Sequence, residues 1–245
     1  MPAETACLAV AVKFANIGNM DSRLGEMRRM WKTGLIAAAL TAGLAGAAQA
    51  HPHVFVEARA EVVFDDAGRL SAVRHVWSFD EAFTAFAVQG LDENGDGELS
   101  REELQPLAQV NVESLAEYEF FTFLQQGDAE VAFDPPKEYW LDFYGGRLTL
   151  FFTLPLREAR VMDASTVELD VFDPNYFVAF EMTQETPFAM VDAPSTCTLD
   201  FTPPPPLDPQ TATTLAAIPQ TERELPSDLV QITETLSNSA RIGCK

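Results

Sequence analysis

The chain has 245 residues, with 37 acidic against 16 basic side chains, a formal net charge of -21 and a pI near 4.3. That balance excludes a nucleic-acid binder, which needs a basic stripe to displace phosphate counterions, and a polybasic membrane-surface protein; no run of Lys or Arg is longer than Arg28-Arg29. At 47% hydrophobic and 22% charged residues, the composition is that of a globular domain rather than a disordered chain.

Residues 30–50 read as an export signal. Arg28, Arg29 and Lys32 precede an apolar run over residues 34–48, and Ala48-Gln49-Ala50 follows as a small-residue cleavage site. The run is too short to span a bilayer, which takes about 20 apolar residues. The reading is a signal peptide cleaved after Ala50, preceded by an upstream extension in which Met20, Met27 and Met30 are alternative starts. No membrane span is expected after cleavage. The mature chain would be residues 51–245. Residues 1–50 hold five basic and three acidic groups, so 11 basic and 34 acidic residues remain, a net of -23. Two cysteines also remain, Cys197 and Cys244. An even pair in an exported chain predicts one disulfide.

Residues 55–64 and 70–79 alternate apolar and polar side chains around Asp65-Asp66-Ala67-Gly68, which predicts a β-hairpin. Residues 80–91 switch to helical spacing, with Phe83, Phe86 and Ala87 on one side. Residues 101–120 read as a second helix, which Pro106 should kink or split. Strands are expected again at 130–133, 138–144, 147–154, 166–172 and 176–183. Gly145-Gly146 forms a tight hairpin loop and Asp173-Pro174-Asn175 a turn. This series predicts a mainly β fold: an antiparallel, Ig-like β-sandwich over residues 51–201, interrupted at 80–125 by a helix–EF-hand loop–helix insert. A Pro-rich linker beginning at residue 202 leads into a short, disulfide-tethered helical tail ending at 245.

The segment between the two helices fits the EF-hand calcium loop at every diagnostic position. Calcium is a hard ion that takes six to eight oxygen ligands. Asp92, Asn94 and Asp96 supply side-chain oxygens at positions 1, 3 and 5, and Gly97 permits the sharp turn at position 6. Glu98 offers its backbone carbonyl at position 7, Ser100 a water-mediated contact at position 9, and Glu103 a bidentate carboxylate at position 12. A single loop, with only Met162, Met182 and Met190 in the mature chain, reads as a structural staple rather than a sensor, because sensors pair their loops and expose a Met-rich groove.

The new N-terminus, His51-Pro52-His53, is the second constellation. In an extended segment the two imidazoles project to one side, about 6–7 Å apart. Cleavage frees the α-amine of His51, which with its own ring can chelate copper. Pro52 forbids the square-planar site that uses backbone amide nitrogens, because its nitrogen carries no proton. If Phe64 pairs with Arg69, residue numbers across the hairpin sum to about 133. Asp80 then lies opposite His53 with Glu81 nearby, and His75 lies opposite Ala58. A set of His51, His53 and Asp80 or Glu81 suits Ni, Co, Zn or Cu(II). There is no nucleophile elbow, no Cys–His pair and no Gly-rich phosphate loop, and no catalytic residue is assigned.

His51-Pro52-His53-Val54, Trp77-Ser78-Phe79-Asp80-Glu81, the calcium-type loop and Asn111-Val112-Glu113-Ser114-Leu115 together resemble domain-of-unknown-function family 1007. So do Tyr139-Trp140-Leu141, Leu148-Thr149-Leu150 and the pair Asp173-Pro174 with Tyr176. The resemblance covers most of residues 51–200. It implies a periplasmic component of an ABC-type transport system, often associated with nickel/cobalt-type or other metal permeases, and it supplies no substrate and no catalytic residue. The combined expectation is a periplasmic accessory protein for transition-metal transport or homeostasis. It would carry a structural calcium ion and have a membrane metal transporter or permease as partner. Two other readings stand beside it: a calcium-stabilised interaction or adhesion module without transition metal, and a copper oxidoreductase built on the N-terminal histidine chelate.

Overall fold

The computed structural model describes residues 52–162, 166–218 and 225–245; the signal-peptide reading and His51 lie outside them. In chain order the elements are β1 (Val54–Phe64), β2 (Leu70–Phe79), α1 (Glu81–Ala87), α2 (Arg101–Leu115), a 3-10 segment (Ala116–Phe121), β3 (Thr122–Gln126), β4 (Ala129–Glu130) and β5 (Tyr139–Tyr144). They continue with β6 (Arg147–Arg160), β7 (Thr166–Val171), β8 (Val178–Met182), β9 (Phe188–Val191), β10 (Cys197–Thr202), α3 (Pro209–Ala216), α4 (Ser227–Glu234) and β11 (Asn238–Cys244).

The fold is mainly β, in two sheets. One has the order β5-β6-β2-β1-β8, with β9 also on β1; the other runs β10-β11-β7-β3-β4. Strict alternation makes the sheets two-faced. In β1, Val54, Val56, Ala58, Ala60, Val62 and Phe64 point inward, while Phe55, Glu57, Arg59 and Glu61 point outward. In β6, Leu148, Leu150, Phe152, Leu154 and Leu156 do the same. The inward faces of both sheets belong to one core, with Trp77, Phe152, Leu169 and Ile242 among its fully buried members. Each such side chain contributes about 2–3 kcal/mol of burial free energy.

Three expectations are corrected here. The first sheet is mixed rather than antiparallel, because β8 and β9 both pair with β1 in parallel. After β7 the chain turns at Asp173-Pro174-Asn175 and crosses from the second sheet to the free edge of the first, so its direction there is set by the crossing and not by a hairpin. The C-terminal segment is not only a helical tail. Its last element, β11, lies between β10 and β7 in the second sheet, with Asn238, Ala240, Ile242 and Cys244 buried. Cys197 stands opposite Cys244 in the β10/β11 register, and the two form a disulfide with an S–S distance of 2.00 Å. Finally, α2 runs unbroken through Pro106. Pro106 and Glu102 are both exposed, so water solvates the carbonyl that the missing N–H leaves without an intrahelical partner.

The two hairpins follow their turn chemistry. Gly145 and Gly146 take φ of 61° and 80°, the paired left-handed geometry of a two-residue loop between β5 and β6. Helix α1 is tied to the start of β6 by the Leu148 N–H, which donates to Thr84 Oγ1 at 3.1 Å.

Candidate functional site

The loop 92–103 is organised by its own carboxylates. Asp92 Oδ1 accepts the N–H groups of Gly95 at 2.8 Å and Asp96 at 3.2 Å, and its Oδ2 accepts that of Gly97 at 3.0 Å. Asn94 Oδ1 accepts the Asp96 N–H and Asp96 Oδ1 the Glu98 N–H, both at 2.8 Å. Gly97 has φ of 82°, a conformation that side-chain-bearing residues rarely adopt. The side-chain oxygens of Asp92, Asn94 and Asp96 thereby each hold backbone N–H groups of the same loop.

Glu103 closes the loop from α2. Its Oε1 accepts the N–H of Glu93 at 3.0 Å, and its Oε2 accepts the Ser100 N–H at 2.9 Å and the Ser100 hydroxyl at 2.7 Å. Ser100 Oγ in turn accepts the Glu103 N–H, completing a capping box at the start of α2. These bonds, the Ser100 backbone N–H foremost, hold the Glu103 carboxyl below the usual carboxylate range.

Neighbouring residues invisible to motif reading anchor this loop. Arg101 Nε and Nη2 donate to Asp142 Oδ1 and Oδ2 of β5 at 2.7 and 2.9 Å. The guanidinium lies 5.2 Å over the Trp140 ring, which itself stacks on Phe151 at 4.9 Å. Trp140 and Asp142 are two apart on one strand and so share a face, a period-2 signal that hinted at the pairing without naming Arg101 as partner.

The histidine constellation is arranged differently from the expectation. The β1/β2 register sums to 135, not 133: Val56 pairs with Phe79 and Val63 with Ala72. The turn closes one residue later, with the Asp65 N–H donating to the Arg69 carbonyl, and a bulge near Ser71 adds one more. Asp80 therefore stands beside Phe55, not His53. Its Oδ2 accepts the Phe55 N–H at 2.9 Å and its Oδ1 caps α1 through the Phe83 N–H at 2.8 Å. Glu81 is exposed in the first turn of α1. His75 faces Ala60 from inside the core.

His53 is seated. Its N–H donates to the Phe177 carbonyl at 2.8 Å, and its ring stacks on the Phe177 ring with centroids 4.3 Å apart. Phe177 is itself fixed by Asp173, only 4% exposed. The Asp173 carboxylate accepts the N–H groups of Asn175, Phe177 and Val178, each at 2.9 Å. Burial pushes its pKa up, and those three donors oppose the shift.

Beside this end of β1, on the outward face of the first sheet, runs an open groove of about 950 Å³ lined by Phe55, Glu57, Arg59, Arg147, Tyr176 and Glu181, among others. Arg147 spans it, donating to Glu57 Oε2 at 2.9 Å and to the carbonyls of Phe79 and Ser78. Among the described residues, no three His, Cys, Asp or Glu side chains converge as a metal-ligating cluster, and no helix is long and apolar enough to cross a membrane.

An uncharacterised protein of Haemophilus influenzae is 23% identical over 132 residues, spanning 53% of this chain and 62% of its own length. A family model described as a protein of unknown function, DUF1007, matches residues 36–244. The match covers most of the chain and ends on the last residue of β11, so the chain belongs to the DUF1007 family.

Proposed function

We propose that this protein is an exported accessory factor in transition-metal handling. His51 and His53, with the free α-amine, hold an ion such as Ni, Co, Zn or Cu for delivery to a membrane transporter, and the loop 92–103 holds a calcium ion as a structural staple. The observation that carries the reading is the seating of His53. A frayed terminus would leave its imidazole in solvent, whereas here backbone and ring are both fixed against Phe177. Asp80, engaged by two backbone N–H groups, serves as a cap and leaves the histidines as the primary ligands. The disulfide fits an oxidising, extracytoplasmic compartment.

For calcium, the donor set fits a hard cation: Asp92, Asn94, Asp96, the Glu98 carbonyl, Ser100 through water, and Glu103. The loop hydrogen bonds support this, because each orients a side chain that the coordination requires. Calcium would neutralise part of the carboxylate repulsion in the loop. The link from Arg101 to Asp142 passes that rigidity to β5.

Metal analysis of protein processed in the periplasm tests the reading. The expected result is one tightly held transition ion per chain, absent from a His51→Ala/His53→Ala variant, with calcium retained in both. Calcium alone in the unaltered protein would overturn it. That outcome would favour the interaction-module reading, which exposed aromatics at one end of the first sheet support: Phe55 is 54% and Tyr144 89% exposed.

A further inference from the structure

We infer that Asp173 is a positioning residue for His53, and that the C-terminal segment braces the pair through Pro174. This rests on the reading of His53 as a metal ligand, but its structural half stands without metal.

A continuous chain of contacts leads from Thr233 in α4 to His53 just ahead of β1. Thr233 of α4, 1% exposed, donates its hydroxyl to the Pro174 carbonyl at 2.6 Å. The next residues, Asn175 and Phe177, donate their N–H groups to the Asp173 carboxylate, as does Val178 at the head of β8. Between them Tyr176 takes φ of 50°, left-handed and unfavourable for a side-chain-bearing residue. Its ring packs on the second apolar cluster, formed by Leu215, Ile218, Leu225 and Leu229 of the C-terminal segment. Asn238 adds a clamp on the neighbouring strand, donating to the carbonyls of Val171 and Phe180 at 3.2 and 3.1 Å.

The turn delivers one product at the surface, Phe177. Its carbonyl receives the N–H groups of His53 and Val54, and its ring supports the His53 imidazole. Burying a carboxylate to hold three backbone donors is expensive for an ordinary turn. Here it fixes the Phe177 contacts that hold His53 against the body of the protein. Asp173, Pro174 and Tyr176, a motif with no assigned role, thereby acquire one: they bear on the ligand at one remove, as outer partners of metal-binding histidines do.

The test uses isotope-labelled full chain as the cell processes it, first without metal. In Asp173→Asn the amide cannot accept all three N–H groups. The His53 ring protons should lose their Phe177-induced shift, and hydrogen exchange at the His53 amide should accelerate at least tenfold while the Leu169 amide in the second sheet is unchanged. Thr233→Val, which removes the brace without touching the carboxylate, should shift both signals in the same direction and remains informative if Asp173→Asn does not fold. Unmoved His53 signals in a folded variant, or equal acceleration at Leu169, would overturn the inference. Zinc(II) titration is the second arm, with affinity expected to fall about 10–100-fold. If unaltered protein binds no zinc while the His53 signals respond as described, the positioning holds and the metal reading fails.

Discussion

The imidazole of His75, in β2, lies 3.1 Å from the hydroxyl of Thr122, in β3, a polar link across the interior between the two sheets. The Thr122 hydroxyl already donates to the Phe120 carbonyl at 2.8 Å. Its oxygen must therefore accept from the ring, which assigns the proton to His75 Nε2 and leaves Nδ1 bare. That nitrogen has no hydrogen-bond partner, and the ring is 0% exposed and stacked 4.8 Å from Phe152.

This arrangement makes stability depend on pH. Burial lowers the His75 pKa from 6.5 to about 3. The unfolded chain takes up a proton near pH 6.5 and the folded one does not. The stabilisation is therefore complete above pH 6.5, falls as pH drops, and is gone below about 3. Between pH 7 and pH 5 the loss should be about 2 kcal/mol from this group. Urea unfolding at the two pH values measures it, and His75→Gln should remove most of the difference.

Calcium removal should lower the melting temperature. An extracytoplasmic single loop binds at about 0.1–1 mM, so 10 mM calcium should add roughly 1–3 kcal/mol of stability over chelator-treated protein. Asp96→Asn, Glu103→Gln or both should erase that increment. Glu103→Gln should also lower the calcium-free baseline, because one amide oxygen cannot replace the two carboxylate oxygens that hold Glu93 and Ser100.

Arg101→Lys should loosen the loop without unfolding the domain. Lysine keeps the charge but loses the forked contact to Asp142 and the stacking on Trp140. Hydrogen exchange over residues 92–103 should accelerate while core strands such as β7 stay protected. Unchanged exchange in the loop would show that Arg101 plays no anchoring part.

Replacing both Cys197 and Cys244 by Ser should cost about 2–4 kcal/mol, measured by denaturant titration. Cys244 closes the end of β11, which pairs with both β10 and β7. The variant should therefore stay folded, with fraying confined to the ends of β10 and β11.

Much of the local architecture was legible in the sequence. Alternation from Val54 to Phe64 and the turn residues Asp65 and Gly68 marked the first hairpin, because a strand with one buried face must repeat every second residue. Gly145-Gly146 marked the β5/β6 hairpin, and the pair Cys197 and Cys244 marked the disulfide. The spacing from Asp92 to Glu103 laid out a loop whose oxygens now hold its own N–H groups. These are short-range properties, set by side chains a few positions apart.

Tertiary structure alone decided the rest. The turn that closes one residue later and the bulge near Ser71 together carried Asp80 from the expected row of His53 to that of Phe55, since each extra residue in a hairpin moves every later pairing. The seven residues of β11 carry a weak apolar alternation, and only pairing with β10 and β7 makes them a strand. The contacts of Arg101 with Asp142, His75 with Thr122 and Asp173 with Phe177 likewise depend on where sheets and turns meet. Composition and spacing determined which groups this protein possesses; the crossing between its two sheets decided which of them stand together, because that proximity is a property of the packed chain and not of any local stretch of it.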